Sequence, residues 1–409
     1  MVNFIHKTDC RICGQSDFIQ VLDLGQMPPA NSFLKKEDLN QPEKNFPLAV
    51  YFCQNCALLQ LLDVVQPEIL FSHYSYLTSA SKPLADHFVQ LAQELAGRFI
   101  KSRDDLMLEI GGNDGVLLES VKDKCRVLNI EPAKNVAALS RQKGVETLAE
   151  FFTQNLAQKI IEKYNPARIV VANNVIAHID NLKDVFEGVK ILIGADGFFV
   201  FEVHWVGNLI GEGGFDQIYH EHLSYFSLLA LANLVSQSDL KIFDVQLIPV
   251  HGQSIRVYVG RNQKVSGNVE KFLKTEKNLR LDQVETFLKF AERVKRNKKD
   301  LKSLLIFLKE QGKKIIGYGA PAKGNTLLNY CGINQTILDF ITDTTPFKQE
   351  KYTPGSHIPI YPPDWLKEPK PDYILLLAWN YADAILRKEF EFLQQGGHFI
   401  LPVPVPKII

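Results

Sequence analysis

Four cysteines fall in two pairs, Cys10-x2-Cys13 and Cys53-x2-Cys56, and this spacing lets one tight turn present two sulfurs to the same ion. Tetrahedral zinc accepts four thiolates, and a complete set leaves no open position for water, so the expected metal is structural. Gly14, directly after the first pair, suits such a turn. The competing reading is four buried cysteines without a metal. A second cluster, Tyr219-His220-Glu221-His222, puts four ionisable or hydrogen-bonding groups into four residues, and His178 comes from Asn173-Asn174-Val175-Ile176-Ala177-His178. Histidine titrates near neutrality and a neighbouring Glu can orient it, which points to acid–base work. A His-x-His metal pair lacks an obvious third ligand, and plain polar loop residues remain the bland alternative.

Leu108-Glu109-Ile110-Gly111-Gly112-Asn113-Asp114-Gly115 reads as a strand running through a glycine turn into a helix. Glycines there let backbone approach a ligand, and a helix N-terminus favours carboxylate or phosphate. The glycine frame is wrong for G-x-G-x-x-G. It resembles instead the E/D-x-G-x-x-x-G turn of class I S-adenosylmethionine methyltransferases, which makes Glu109, Gly111, Asn113 and Asp114 candidate cofactor contacts. Glu131, ending the next strand about 20 residues on, is placed for ribose hydroxyls. Phe151 in Glu150-Phe151-Phe152 is placed for adenine, and Asn173 and Asn174 lie at the carboxyl edge where open α/β sheets bind ligands. Methyl transfer to O or N can proceed on a lone pair with little help. Transfer to carbon needs a base that removes a C–H proton and donors that hold the resulting oxyanion.

The elements that must position these groups form three blocks. Residues 1–66 are loop-rich and proline-punctuated, too small to bury much core without a staple. Residues 67–260 alternate strands (Leu106–Ile110, Val127–Glu131, Arg168–Ala172, Gly197–Val203) with helices such as Gly115–Lys124 and Asn181–Ile193, the pattern of a doubly wound parallel sheet. Strands Lys241–Ile248 and Ser254–Val259 are too close in sequence for a parallel return and must form an antiparallel hairpin. Residues 261–409 begin with one or two helices, where 16 Lys/Arg face 7 Asp/Glu over 261–314 as a solvated charged face. Strands at Lys313–Gly319, Thr336–Thr342, Tyr373–Ala378 and His398–Val403 then imply a second, smaller α/β domain.

The full chain has 409 residues, 46 basic and 46 acidic, so no net field argues for nucleic acid or an anionic membrane. Apolar runs such as Tyr373–Trp379 fall far short of the roughly 20 residues a spanning helix needs. Six cysteines make no disulfide framework, and with no secretory signal at the N-terminus the expected compartment is a reducing cytoplasm.

Taken in order, Cys10-Arg11-Ile12-Cys13-Gly14, Asp23-Leu24-Gly25-Gln26-Met27-Pro28-Pro29-Ala30-Asn31, Cys53-x2-Cys56, Tyr74-Ser75-Tyr76, the Glu109–Gly115 turn, Tyr219-His220-Glu221-His222, His251-Gly252-Gln253-Ser254-Ile255-Arg256 and Gly317–Asn325 resemble the sugar C-methyltransferases. That family acts at C-3 of nucleotide-linked 4-keto-deoxysugars. The resemblance implies a zinc-bearing N-terminal domain, a methyltransferase domain of class I Rossmann-like fold and a C-terminal Rossmann-like α/β domain. It implies S-adenosylmethionine as cofactor, a nucleotide-diphosphate sugar as partner, and a monomer or weak oligomer. By position it makes His222 the general base, with Tyr219, Glu221 and His178 around it and Tyr76 reaching in. His220 and Gln253 depart from the family's commoner residues. In the last domain, Gly317 and Gly319 permit backbone donors near a phosphate and Lys323 adds a cation, so Tyr318, Lys323, Asn325 and Arg256 are candidates for holding the substrate nucleotide. O- or N-methylation of a small metabolite, and a non-catalytic zinc- and nucleotide-binding scaffold, are the rival functions.

Overall fold

The computed structural model describes residues 3–71, 77–249, 253–366 and 370–409. Tyr76, with its Tyr74-Ser75-Tyr76 motif, and His251-Gly252 lie outside the described residues.

The N-terminal block is built on strands Phe18–Met27, Phe46–Cys53 and Leu59–Leu61, which pair antiparallel in that order. Their inward side chains, among them Leu22, Leu48, Val50, Phe52 and Leu61, are buried. The fourth strand of this sheet is Ser224–Tyr225, which directly follows the histidine cluster and pairs with Leu59 and Gln60. The two blocks therefore share a sheet rather than touching at a surface.

The central sheet has seven strands in the order Lys241–Ile248, Ser254–Gly260, Phe198–His204, Ile169–Asn173, Leu106–Ile110, Arg126–Ile130, Thr147–Leu148. Ser254–Gly260 runs antiparallel to both neighbours, as the short connection requires, and the other pairings are parallel. Both faces are covered, which is why the middle strands read as unbroken apolar runs. Met107, Ile169, Val171 and Val200 pack on helix Lys82–Phe99 through Leu91, Leu95 and Phe99. Leu108, Val170, Ala172, Phe199 and Phe201 face Phe186 and Val189 of helix Leu182–Ile193 on the other side. The helix expected over Gly115–Lys124 shrinks to Val116–Glu119, because the Ser120 hydroxyl donates back to the Leu117 carbonyl at 2.7 Å and turns follow.

The charged stretch forms helices Gly267–Asn278 and Val284–Glu310. Along the second, Phe287, Phe290, Ala291, Val294, Leu301, Leu305 and Leu308 form the buried stripe, and lysines occupy the other face. Glu276 of the first helix is buried and accepts from the backbone amides of Leu228 and Leu229 (2.7 and 2.8 Å) and from the Trp205 indole (2.7 Å). It thereby caps helix Leu228–Ser236 from outside. The last sheet has six strands in the order Ile360–Tyr361, Ile341–Thr342, Ile315–Tyr318, Tyr373–Leu376, His398–Leu401, Lys407–Ile408. The expected strand over 336–342 keeps only its final two residues, since Asn334 folds Thr336 and Ile337 into a turn before it.

Candidate zinc and active sites

Both cysteine pairs sit on equivalent turns. Gly14 and Ala57, each with positive φ, direct their amides to the carbonyls of Cys10 and Cys53 at 2.9 Å. The four sulfurs lie within 4.8 Å of one another, with Cys10–Cys56 and Cys13–Cys53 at 3.5 Å. Zn–S bonds of about 2.3 Å place sulfurs roughly 3.8 Å apart in a tetrahedron, so the set fits a zinc ion with no position left open. Gln60 donates to the Cys10 sulfur at 3.2 Å and orients it from behind.

The turn after strand Leu106–Ile110 is closely packed. Gly111 has φ +67°, and a Cβ there would stand 2.7 Å from Val175. Glu131 accepts from the amides of Asn113 (3.0 Å) and Ala133 (2.9 Å), tying the ends of the first two strands together. Asn113 in turn accepts from the Thr78 amide at 3.0 Å. Glu109 is buried; desolvation, then the Glu131 carboxylate, push its pKa up to about 8. The Asn173 amide lies beside it and offsets part of that rise, yet neither polar atom of Asn173 reaches hydrogen-bond geometry with the protein. Asp114 pairs with Lys143 (2.8 Å) through one oxygen and leaves the other buried and unpartnered, as is the Asn174 carbonyl oxygen. Buried polar atoms without partners are costly, and here they gather at the carboxyl edge of the sheet, where a polar ligand would satisfy them. Glu109, Asn113, Asp114, Glu131, Asn173 and Asn174 thus come together around Gly111. Phe151 does not join the core: its ring is exposed, while Phe152 is the buried member of that pair.

The histidine cluster forms at the same edge. The residues Phe215–Gln217 make a short helix, and the His222 ring then lies between two hydrogen bonds. Its Nδ1 is 3.0 Å from the Gln217 carbonyl and its Nε2 is 2.7 Å from the Tyr219 hydroxyl. A carbonyl can only accept, so Nδ1 carries the proton and Nε2 holds the lone pair. The His178 ring is 4.9 Å away and that of His204 5.5 Å, centroid to centroid. Burial drives His178 down to about 4, partly offset by the Asn174 and Glu221 carbonyls, so its imidazole is neutral. His220 points elsewhere, toward the Phe46 carbonyl at 3.3 Å. Glu221 is buried, its pKa pushed up to about 7 by desolvation, and it accepts from the Asn31 side chain at 2.6 Å. Sequence reasoning misses Gln217, His204 and Asn31 as site residues.

The C-terminal candidates behave differently. Gly317, Gly319 and Ala320 spend their amides on Phe340 O, Thr342 O and the Asp343 carboxylate (2.8, 2.7 and 2.7 Å), so the turn does not offer a phosphate the expected backbone donors. Tyr318 donates to Glu389 at 2.9 Å, and Asn325 donates to the Ala30 carbonyl at 2.7 Å. Lys323 stands 3.9 Å over the Trp379 ring near Asp216, its pKa lowered to about 8 by burial. Arg256 is an internal ion-pair residue, donating to Glu202 (2.8 Å) and Glu94 (3.1 Å), with His87 on the same Glu202 at 2.9 Å.

Sequence comparison decides the family. Residues 249–404 match the profile of the C-methyltransferase C-terminal domain, 10–71 that of a zinc binding domain and 84–245 that of a methyltransferase domain. The chain is also similar to the C-methyltransferase NovU of Streptomyces niveus, 38% identical over 405 residues, spanning 98% of this chain and 96% of that protein. The chain belongs to this C-methyltransferase family. As a member it is an S-adenosylmethionine-dependent C-methyltransferase with a four-cysteine zinc site. S-Adenosylmethionine fits the unpartnered polar edge around Glu109 and Asn173 described above. Two solved structures are similar over less than half of this chain. A Haloferax volcanii methyltransferase with its Trm112 activator is 12% identical, covers 45% of this chain and 95% of that one, and has a TM-score of 0.36. A methyltransferase from Clostridium acetobutylicum is 12% identical over 44% and 91%, with a TM-score of 0.32. Membership of the C-methyltransferase family rests on the sequence matches. No helix among the described residues is long and apolar enough to cross a membrane.

Proposed function

We propose that the protein transfers a methyl group to C-3 of a nucleotide-diphosphate 4-keto-deoxysugar, with His222 generating the enolate. The observation that carries this reading is the His222 tautomer: the Gln217 carbonyl accepts from Nδ1–H, which leaves the Nε2 lone pair facing the Tyr219 hydroxyl. A proton beside a ketone leaves only as charge moves onto the carbonyl oxygen, so base and oxyanion donor must act together. Nε2 takes the C-3 proton once Tyr219 yields, or through Tyr219 as relay. The neutral His178 imidazole is the proposed donor to the enolate oxygen, with Glu221 bordering the sugar; the role of Tyr76 is the one the family resemblance implies. Bound S-adenosylmethionine supplies the methyl group on its sulfonium. On this reading the blocks 1–66, 67–260 and 261–409 enclose the substrate between them, with Lys323 as the proposed cation for its diphosphate. Tyr318 and Arg256 would act there only by shaping the site, since their polar groups are engaged, whereas Asn325 donates to Ala30 and keeps a buried Oδ1 without a partner.

Incubation with methyl-13C cofactor and a panel of nucleotide-linked 4-keto-deoxysugars should place the label on a carbon that has lost its proton. A product that keeps the C-3 proton would assign O- or N-transfer instead. His222→Asn should lose about 10²–10⁴-fold in rate while S-adenosylhomocysteine affinity stays within twofold, and it should no longer exchange C-3 deuterium from solvent.

A further inference from the structure

Arg11 lies between the first two cysteines of the zinc knuckle, yet its side chain leaves the knuckle and enters the junction with the catalytic loops. Its guanidinium is fully buried and donates through Nε to Asp180 at 2.9 Å. Nη1 donates to the Gln60 side chain at 3.2 Å and to the Leu61 carbonyl. Asp180 is two residues beyond His178 and also receives Lys7 at 3.1 Å. Gln60 and Leu61 belong to the strand that holds the other loop: Gln60 pairs with Ser224, and the Leu61 amide donates to the Leu223 carbonyl at 3.0 Å. Leu223 in turn donates to Ala177 at 2.8 Å. One planar, multidentate cation therefore spans both loops, one carrying His178 and the other His222, and Gln60 ties it to the Cys10 sulfur.

We propose that Arg11 is a positioning residue that sets the spacing of His178 against His222, so that the zinc knuckle fixes active-site geometry and does more than hold its own domain. The inference rests on the reading of those histidines as the catalytic pair. Its contacts favour position over mere cohesion: Asp180 takes only Nε, while Nη1 reaches Gln60 and Leu61 of the strand behind His222.

The test needs no sugar substrate. In full-length protein with 13Cε1-labelled histidine, the His178 and His222 signals are assigned through His178→Asn and His222→Asn. Arg11→Met should retain one zinc per chain and bind S-adenosylhomocysteine within twofold, while the His222 signal moves and its titration midpoint shifts by about half a unit. Arg11→Lys, which keeps the charge but not the fork, should restore only part of the shift. If Arg11→Met fails to fold, Asp180→Asn, with the knuckle untouched, should move the same His222 signal. Zinc-loaded variants with wild-type histidine signals and midpoints would overturn the proposal. Retained methyl transfer by His222→Asn would instead sink the base assignment and leave the Arg11 measurement standing.

Discussion

Glu221 shows how burial sets chemistry at a single residue. Its carboxyl has a pKa near 7 because it lies out of water, with the Asn31 amide supplying partial compensation. In the unfolded chain the same group ionises near 4.5. The folded state therefore holds the extra proton between those values, and the stability this group contributes is complete below about 4.5 and lost as pH rises through 7. Glu221→Gln keeps the acceptor for Asn31 and removes the titration. Relative to wild type it should gain about 2–3 kcal/mol between pH 4.5 and pH 7.5, read as a growing difference in Tm. An equal Tm difference at both ends of that range would contradict the buried, protonated carboxyl. The buried His178 works with the opposite sign. Its folded pKa of about 4 lies below the ordinary 6.5, so its contribution is present above 6.5 and is lost on acidification toward 4.

The turn after Leu106–Ile110 is the element on which the cofactor edge depends. An alanine at Gly111 would adopt a left-handed backbone and meet Val175 at 2.7 Å, so Gly111→Ala should cost about 1–3 kcal/mol as well as cofactor affinity. Chemical denaturation and calorimetry with S-adenosylhomocysteine check the two effects separately; unchanged values in both would refute the close approach. The parallel strands were legible in the sequence because burial on both faces leaves runs such as Ile169–Asn173 with scarcely a polar residue. Helix Val116–Glu119 and strand Ile341–Thr342 are shorter than the pattern implies because a serine hydroxyl ends the helix early and an asparagine turn delays the strand, both local effects. The meeting of His178 with His222 could be anticipated from two loops leaving neighbouring strands at one sheet edge. His204 carried the same signal, as the last residue of its strand, and was passed over. Gln217 acts through its carbonyl, which any residue type supplies, and Asn31 meets Glu221 across 190 positions of chain. Neither contact has a pattern that a linear reading can detect.

On the scale of the whole molecule, the N-terminal block reaches both other blocks. Asn31 holds Glu221, the Ala30 carbonyl holds Asn325, and Glu43 holds His357 at 2.6 Å. Removing the metal should therefore be felt well beyond the knuckles. Cys53→Ser should lower zinc content and solubility together, since the binding energy of a structural zinc is folding energy. Full zinc stoichiometry in soluble Cys53→Ser protein would rule out a site that needs all four thiolates. The sheet shared between blocks also imposes an order of events during synthesis. Strands Phe18–Met27, Phe46–Cys53 and Leu59–Leu61 leave the ribosome early, but their fourth partner is Ser224–Tyr225. At roughly 5–20 residues per second the intervening chain takes on the order of ten to thirty seconds to emerge. For that interval Leu59–Leu61 is an open edge of the kind that recruits foreign strands. A nascent chain of this enzyme is thus most exposed to chaperones and to mispairing while its methyltransferase sheet is still being translated.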